Sequence, residues 1–271
     1  MSMKITTPDG IVISVVVEGA GPPMILVTGS GDDYTRYGRV SPILGKSYTL
    51  YNVDRRGRGE STDDAAYSFL GEVNDLLAVI DAVHAEAGPA HLLAHSYAGL
   101  VGLEVAWRTD KLKSVLLYEP PMPFYERIDG VDPRKPLVLE MIELLARGKV
   151  DEMLTFYIHD FMGLPLEAVE RQKSNPKAWG RWLSVANTIP RELLTVRDYE
   201  FAPYKFASVK RPIGVIVGGN SRGGMRNSAQ RIKSGIPQTE IIELPGEGHS
   251  AMTSSPEMFA SAVLAFFNSA N

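Results

Sequence analysis

Residues 91–99 read His-Leu-Leu-Ala-His-Ser-Tyr-Ala-Gly, a short apolar run that ends in a tight polar turn. An apolar helical pattern follows at once, so this stretch predicts a strand, a sharp turn and a helix. Ala94 and Ala98 flank Ser96 at two residues' distance, where such a crowded turn tolerates only small side chains. The turn can present the Ser96 hydroxyl as a nucleophile, with the Tyr97 N–H beside it at a helix N-terminus that favours negative charge. A serine at this position is also a common helix cap.

The overall composition limits the classes of function that the chain can have. Its 271 residues are 44% hydrophobic and include no cysteine, and the formal net charge is -4. Disulfides, thiol catalysis and cysteine-ligated metals are therefore excluded. Because there is no basic patch and no long apolar run, we expect no nucleic-acid partner and no membrane partner. The interpretation is a cytoplasmic monomer or homodimer that acts on a small-molecule substrate without a metal or other cofactor.

The order of the predicted elements indicates an α/β fold. Short β-branched or apolar runs alternate with helical patterns along most of the chain. The predicted strands cover residues 3–6, 11–17, 24–27, 48–53, 91–94, 113–118, 213–217 and 239–244. Because strands that alternate with helices form parallel sheets, we predict a mostly parallel eight-stranded sheet flanked by helices.

The loop at residues 54–61 reads Asp-Arg-Arg-Gly-Arg-Gly-Glu-Ser. A loop rich in glycine and arginine can bind phosphate, but the Gly-Lys-Ser/Thr and G-x-G-x-x-G patterns of such loops are missing. At every defined position the segment instead matches the D-x-R-G-x-G-x-S loop of the α/β-hydrolase superfamily. The chain resembles that family here, and the resemblance implies structural roles for Asp54 and Arg56.

Two further segments carry the same resemblance. The turn at Ser96 resembles the family's nucleophile elbow, G-x-S-x-G, with alanine in place of both outer glycines. The loop after the last strand, Gly-Glu-Gly-His at residues 246–249, matches the family's G-x-G-H motif. The resemblance covers essentially the full chain and implies the α/β-hydrolase fold of a serine hydrolase with an inserted helical cap.

A region without predicted strands separates the sixth strand from the seventh. Helical patterns fill it, at residues 136–147, 151–161, 178–188 and 191–198. The resemblance implies that this insertion is the cap, so we predict a core domain of residues 1–120 and 212–271 and a cap of residues 121–211. We expect most cap aromatics to pack internally and some to line an apolar pocket over Ser96. The side chains considered are Phe124, Tyr125, Tyr157, Phe161, Met162, Trp179 and Trp182.

A serine becomes a strong nucleophile when a base takes its proton and a third group orients that base. Four of the five histidines lie in the predicted helix, strand, elbow or cap, where structural or solvated roles are expected. These are His84, His91, His95 and His159. His249 lies in the glycine-flanked loop after the last strand and is the predicted base; a hydrogen-bonded loop histidine is the alternative.

The resemblance also implies an oxyanion hole made of backbone N–H groups. In the family the turn after the third strand begins His-Gly, and the N–H of the next residue forms half of the hole. That residue is Ser30 here, and Thr28 replaces the usual histidine. The Tyr97 N–H, directly after the nucleophile, is the second predicted donor.

The position of the acid departs from the family's common pattern. The aspartate that usually follows the seventh strand is replaced by Asn220 and Ser221, and neither can carry a negative charge. Some relatives, including certain haloalkane dehalogenases and cofactor-free dioxygenases, carry the acid at the end of the preceding strand. Glu119 stands there, before two prolines that end the strand. We predict Glu119 as the acid, with a buried glutamate bonded to loop amides as the alternative.

Three functions follow from these residues as alternatives. The first is a serine hydrolase that cleaves a small to medium ester, thioester or lactone through an acyl-enzyme on Ser96. The second is a cofactor-free dioxygenase or lyase in which His249 and Glu119 remove a proton from the substrate. The third is a non-catalytic protein that binds a small molecule. A haloalkane dehalogenase is disfavoured because it needs a carboxylate at position 96.

Overall fold

The computed structural model of the chain describes residues 1–64, 66–122 and 134–270. Eight strands in this part of the chain form one sheet: β1 (Ser2–Thr6), β2 (Val12–Gly19), β3 (Pro23–Val27), β4 (Thr49–Asp54), β5 (Ala90–His95), β6 (Leu112–Tyr118), β7 (Ile213–Gly218) and β8 (Glu240–Leu244). Their order across the sheet is β1-β2-β4-β3-β5-β6-β7-β8. The pairs β1/β2 and β2/β4 are antiparallel, and the other five pairs are parallel. The prediction of a mostly parallel eight-stranded sheet is confirmed.

Helices connect most of these strands. They are α1 (Ser41–Leu44), α2 (Phe69–Ala87), α3 (Tyr97–Arg108), α4 (Lys135–Ala146), α5 (Val150–Phe156), α6 (Leu166–Lys173), α7 (Pro176–Val185), α8 (Thr188–Asp198), α9 (Gly223–Gly235), α10 (Ala251–Ser254) and α11 (Pro256–Ser269). Short 3-10 turns cover Tyr34–Tyr37 and Pro203–Phe206, and a π-helical turn, Tyr157–Phe161, extends α5. Within the described ranges, none of these helices is long and apolar enough to cross a membrane.

Three helical segments differ from the sequence-based expectation. The sequence predicts a helical segment around residues 34–44, which the structure divides into a 3-10 turn and the four-residue α1. Helices α6 and α9 were not anticipated, because each has only a narrow apolar stripe: α6 buries Val169, and α9 buries Ser228, Ala229 and Ile232. Periodicity predicts a helix well only when its apolar face is wide.

The elbow is held by close packing of α3 on the sheet. Every residue of β5 is buried, and α3 begins directly after Ser96. A Cβ at Gly102 would lie 3.0 Å from the Ala94 Cβ, and a Cβ at Gly99 would lie 2.9 Å from the Pro120 Cβ. The helix can approach β5 this closely only because these positions lack side chains.

The loop at residues 54–61 is fixed by its own polar groups. The Ser61 hydroxyl donates to the Asp54 carbonyl oxygen at 2.6 Å and accepts from the Ser14 N–H at 2.8 Å. The Asp54 side chain accepts from the Tyr34 N–H at 3.0 Å. Arg56 donates to both carboxylate oxygens of Asp75 in α2, at 2.6 and 2.8 Å. These contacts join the loop to β2, to the 3-10 turn that begins at Tyr34, and to α2.

The chain divides into two compact units. The first comprises Met1–Gly29, Asp33–Met122 and Glu200–Asn271, and it contains the whole sheet. The second comprises Ser30–Asp32 and Pro123–Tyr199. The predicted domain limits of 1–120 and 212–271 for the core and 121–211 for the cap stay predictions.

Helices α4 to α8 give the second unit a hydrophobic core of its own. Tyr157 and Trp179 belong to this core, and Phe161, Met162 and Trp182 pack against it. Trp179 also donates its indole N–H to Asp151 at 2.8 Å. Five of the predicted cap aromatic and methionine side chains therefore pack inside this unit. The other two, Phe124 and Tyr125, lie outside the described residues.

Candidate active site

Ser96 occupies a strained turn at the carboxyl end of β5. Its backbone has φ 53° and ψ -126°, a conformation that a residue with a side chain rarely adopts. Ser96 precedes α3, but its side chain makes no capping hydrogen bond to that helix. A Cβ at Gly29 would lie 2.6 Å from the Ser96 Cβ and 3.2 Å from its Oγ, so the turn after β3 lies against the serine. The hydroxyl is directed to this turn and to the base described below rather than to the helix.

Glu119 occupies a corresponding turn at the carboxyl end of β6, the strand beside β5. Its φ is 48°, and among the described residues only Ser96 and Glu119 combine a side chain with a positive φ. Each such backbone costs about 1–3 kcal/mol and persists only where the surroundings impose it. The Glu119 N–H donates to the Ile216 carbonyl at 3.0 Å, and its Oε1 accepts the Gly218 N–H at 2.8 Å. The carboxylate is fully buried.

The three predicted side chains form one hydrogen-bonded line. His249 Nε2 lies 3.0 Å from Ser96 Oγ, and His249 Nδ1 lies 2.6 Å from Glu119 Oε2. Because the carboxylate can only accept, Nδ1 carries the proton and Nε2 is left to accept from the serine hydroxyl. In this arrangement the imidazole can take the serine proton while the carboxylate stabilises the resulting cation.

Opposing effects determine the charge state of Glu119. Burial raises the pKa of its carboxyl group, but the hydrogen bond and charge of His249, with Ser221 and the Gly218 N–H, outweigh burial. The net result is a pKa below the ordinary value for glutamate. Glu119 is therefore an anion at neutral pH and can act as the partner of a positively charged imidazole.

The residues just before Ser96 and Glu119 hold the loop that carries His249. His95 and Tyr118 are register partners on β5 and β6. The Tyr118 hydroxyl donates to the Gly248 carbonyl and accepts from the Ala251 N–H at 3.0 Å. His95 Nε2 donates to the His249 carbonyl at 3.0 Å. The loop is thus held on both sides of the histidine by side chains adjacent to the serine and the glutamate.

His95 is a neutral packing partner of His249. Burial, together with the nearby charges of His249 and Arg36, lowers the pKa of His95 well below its usual value. The two imidazole rings lie 4.6 Å apart, and the His95 ring also packs on Tyr118 at 5.1 Å. Arg36 reaches the same loop, donating to the Ser250 hydroxyl at 2.6 Å. The expected structural role of His95 therefore includes direct support of the predicted base.

The positions of the usual acid carry no charge in this site. The Asn220 amide donates to the Gly246 carbonyl at 2.8 Å, and its side chain is exposed. Ser221 lies near the Glu119 carboxylate and helps to lower its pKa. The carboxylate in contact with His249 Nδ1 is that of Glu119, at the end of β6.

Arg55 holds the turn that follows β3 and that lies against Ser96. Its guanidinium donates to the carbonyl oxygens of Thr28 and Gly29 and to Glu72 in α2. Of the two predicted oxyanion donors, Tyr97 is the first residue of α3, and Ser30 follows Gly29 directly. In the described part of the chain, no three histidine, aspartate or glutamate side chains are grouped as a metal site.

The sequence gives no functional signal for two supporting residues, Arg55 and Tyr118. Arg55 stands at an undefined position of the D-x-R-G-x-G-x-S motif, so the motif assigns it no role. The strand pattern places Tyr118 only at the end of a strand. The position of Tyr118 is itself a usable signal. Successive side chains of a strand point to opposite faces of the sheet, so the residue before Glu119 points to the opposite face from Glu119.

Comparison with known proteins gives matches to hydrolases over most of the chain. Residues 24–262 match the model of the alpha/beta hydrolase family. A solved alpha/beta hydrolase from Sphaerobacter thermophilus is 28% identical, with a TM-score of 0.83 over 98% of this chain and 100% of that chain. The putative carbamate hydrolase RutD of Agrobacterium fabrum is 21% identical over 92% of this chain and 94% of its own length. A fluoroacetate dehalogenase from a Burkholderia species is 30% identical over 45% of this chain, and the match spans only 41% of that relative.

Proposed function

Because the chain belongs to the alpha/beta hydrolase family, we propose that it is a serine hydrolase acting on a small to medium carboxylic ester, thioester or lactone. One observation carries the proposal. It is the line of contacts from Ser96 Oγ to His249 Nε2, at 3.0 Å, and from His249 Nδ1 to Glu119 Oε2, at 2.6 Å. The base is then in hydrogen-bond contact with both the nucleophile and the orienting acid.

The proposed reaction has two halves. In the first, Ser96 Oγ attacks the substrate carbonyl carbon while its proton passes to His249 Nε2. The carbonyl oxygen becomes an oxyanion bound by the N–H groups of Ser30 and Tyr97. The C–O or C–S bond to the leaving group then breaks, the leaving group takes the proton from His249, and the acyl group stays on Ser96.

The second half releases the acid. Water attacks the acyl carbon as His249 Nε2 accepts its proton, a second oxyanion forms, and the bond to Ser96 Oγ breaks. The serine oxygen takes back the proton, so the free enzyme is restored. Throughout, Glu119 stays ionised and stabilises the imidazolium that exists in each half.

The names of the relatives do not restrict the substrate to one kind of ester, thioester or lactone. One is named for carbamate hydrolysis and another for removal of fluoride from fluoroacetate. Acyl transfer is preferred to dehalogenation for this chain because an acyl-enzyme needs only the serine nucleophile that is present. A dehalogenase is not proposed, since position 96 supplies a hydroxyl and no carboxylate to form an ester intermediate with the substrate.

The test is hydrolysis of p-nitrophenyl esters over a series of acyl lengths by wild type and Ser96→Ala. We expect wild-type turnover that falls by about 10³-fold or more in the variant. The acyl length with the highest kcat/KM then gives the size of the acyl site. A folded wild type without Ser96-dependent turnover would contradict the proposal and favour proton abstraction by His249 and Glu119, or a binding function. A p-nitroanilide and an aryl carbamate, assayed in the same series, test whether the enzyme also hydrolyses amides and carbamates.

A further inference from the structure

The buried side chain of Arg55 lies behind the turn that follows β3. Its Nε donates to the Thr28 carbonyl at 2.8 Å, and its Nη2 donates to the Gly29 carbonyl at 2.9 Å. Its Nη1 donates to both carboxylate oxygens of Glu72, at 2.8 and 2.9 Å. The two side chains are 3% and 1% exposed, so the ion pair is shielded from water.

These contacts fix the direction of two N–H groups that make no contact with Arg55. In a trans peptide unit the N–H points opposite to the C=O. The carbonyl of Thr28 shares a peptide unit with the Gly29 N–H, and the carbonyl of Gly29 shares one with the Ser30 N–H. In an extended strand, successive carbonyls point to opposite sides, but here both accept from one guanidinium. The N–H groups of Gly29 and Ser30 therefore both point away from Arg55, an arrangement that attracts anions.

The same guanidinium contacts the Gly29 carbonyl, which precedes one predicted donor, and the side-chain ring of Tyr97, which supplies the other. The Gly29 backbone lies against Ser96, because a Cβ at position 29 would be 2.6 Å from the Ser96 Cβ. The Arg55 guanidinium carbon lies 4.9 Å from the centre of the Tyr97 ring, and Tyr97 supplies the second predicted donor. The Tyr97 hydroxyl is in hydrogen-bond contact with the Tyr67 hydroxyl, which donates to Glu72 at 3.2 Å.

We propose that Arg55 is a positioning residue for the oxyanion hole: by binding the Thr28 and Gly29 carbonyls, it holds the Ser30 N–H in place to stabilise the oxyanion. This inference rests on the proposed hydrolase function. Donors that are fixed before the reaction need no reorganisation as charge develops, and a positive charge on the carbonyl side of a peptide strengthens its N–H as a donor. The planar fork of arginine can serve two carbonyls and a carboxylate together, which the single ammonium of lysine cannot do.

Arg55→Lys tests the inference in an active enzyme. Removing an oxyanion-hole donor lowers kcat by about 10²–10³-fold, and a donor that is present but loosely held should cost less. We expect kcat for the best p-nitrophenyl ester to fall about 10–100-fold while KM changes by less than about threefold. A change in KM with kcat preserved would overturn the inference.

The affinity for a trifluoromethyl ketone with the same acyl group is a second measurement, and a merely structural role of Arg55 would not change it selectively. Ser96 Oγ adds to its carbonyl carbon, the serine proton passes to His249, and the carbonyl oxygen becomes an oxyanion. We expect Arg55→Lys to weaken this inhibitor by the same factor as kcat, and to leave binding of the carboxylic acid product within about threefold. Equal weakening of both ligands would contradict the inference.

Arg56 supplies the matched control. It is the next residue on the same loop, it is equally buried, and it pairs with Asp75, three residues after Glu72 on α2. Its described hydrogen bonds go to Asp75 and Asp9. Arg56→Lys should lower stability much as Arg55→Lys does, but leave kcat within about threefold of wild type. If both variants lower kcat alike, the effect is general destabilisation and the inference is wrong.

A second variant covers the case in which Arg55→Lys does not fold. Arg55→Met combined with Glu72→Gln removes both charges of the buried pair and leaves no uncompensated ion. The same loss of kcat and of ketone affinity is expected, and unchanged values would overturn the inference. Failure of the proposed function is distinguishable, because the wild type itself would then lack Ser96-dependent hydrolysis, and the role proposed for Arg55 would fall with it.

Discussion

Glu119 Oε2 and His249 Nδ1 are joined by a 2.6 Å hydrogen bond, although the two residues are 130 positions apart in the chain. Glu119→Gln removes the negative charge without changing the side-chain volume. The neutral amide cannot stabilise the imidazolium, and its NH2 group can hold the wrong tautomer of the ring. We expect kcat/KM for the best ester to fall about 10²–10⁴-fold with the fold retained. Steady-state kinetics beside a circular dichroism spectrum measure both.

Asn220→Ala is the control for this variant. Asn220 is exposed and stands at one of the usual acid positions, and the described hydrogen bond of its side chain goes to the Gly246 carbonyl. Its loss should change kcat/KM by less than about threefold. Wild-type turnover by Glu119→Gln, or a large loss in Asn220→Ala, would contradict the assignment of Glu119 as the acid.

The lowered pKa of Glu119 also predicts how stability depends on pH. A carboxyl group whose pKa is lower in the folded state contributes stability that is fully present above its ordinary pKa of 4.5. That contribution is lost as the pH falls through the lowered folded-state value. The unfolding free energy of wild type minus that of Glu119→Gln should therefore decrease as the pH falls below about 4.5. Urea titrations measure this difference, and a difference that grows below about pH 4.5 would mean that the folded state raises this pKa.

The strained backbone at Ser96 predicts an unusual order of stabilities. Glycine adopts a positive φ with little cost, whereas alanine retains the strain of a Cβ. Ser96→Gly and Ser96→Ala both lack the hydroxyl, so they differ mainly in this strain. We expect the glycine variant to be more stable by about 1 kcal/mol or more. Equal stabilities, or a more stable alanine variant, in urea unfolding would contradict a strained elbow.

Because the Tyr118 hydroxyl holds the loop that carries His249, we expect its removal to affect the position of this base without removing any contact with the substrate. Tyr118→Phe leaves the Gly248 carbonyl and the Ala251 N–H without this partner, and we expect about 1–3 kcal/mol lower stability. Because the His249 loop loses a fixed position, kcat should fall about 10-fold. Hydrogen exchange at Ala251 should become faster.

Tyr48→Phe is a matched control for this variant. Tyr48 is also buried, and its hydroxyl donates to the Asn268 side chain at 3.2 Å instead of to the His249 loop. Its loss should lower stability without a comparable change in kcat. Unaltered turnover in Tyr118→Phe would contradict a positioning role for the tyrosine.

Much of the sheet was predictable because burial leaves a strong local pattern. Strands such as β3, β5 and β7 are buried along their full length and read as mainly apolar runs. The turn at Ser96 was predictable because small residues are required two positions away on both sides. Helices α6 and α9 were missed because they bury few residues, and local periodicity is weak in such helices.

The supporting contacts of the site were harder to predict from the sequence, because they depend on the pairing of strands that are far apart in the chain. His95 and Tyr118 reach the His249 loop because β5 and β6 are neighbours in this register, and no local pattern encodes that register. Arg55 contacts Thr28 and Gly29 only because β4 lies beside β3. The predicted cytoplasmic location and the monomeric or dimeric state stay predictions.

The most direct test of the central claim is covalent labelling of the intact protein with a fluorophosphonate, followed by peptide mapping. A serine activated by His249 displaces fluoride and forms a bond from Oγ to phosphorus. We predict one phosphonyl group per chain, located on Ser96, with labelling at least 100-fold slower in His249→Ala, in keeping with the contribution of a general base. A folded wild type that forms no adduct, or an adduct on another residue, would contradict the serine hydrolase assignment.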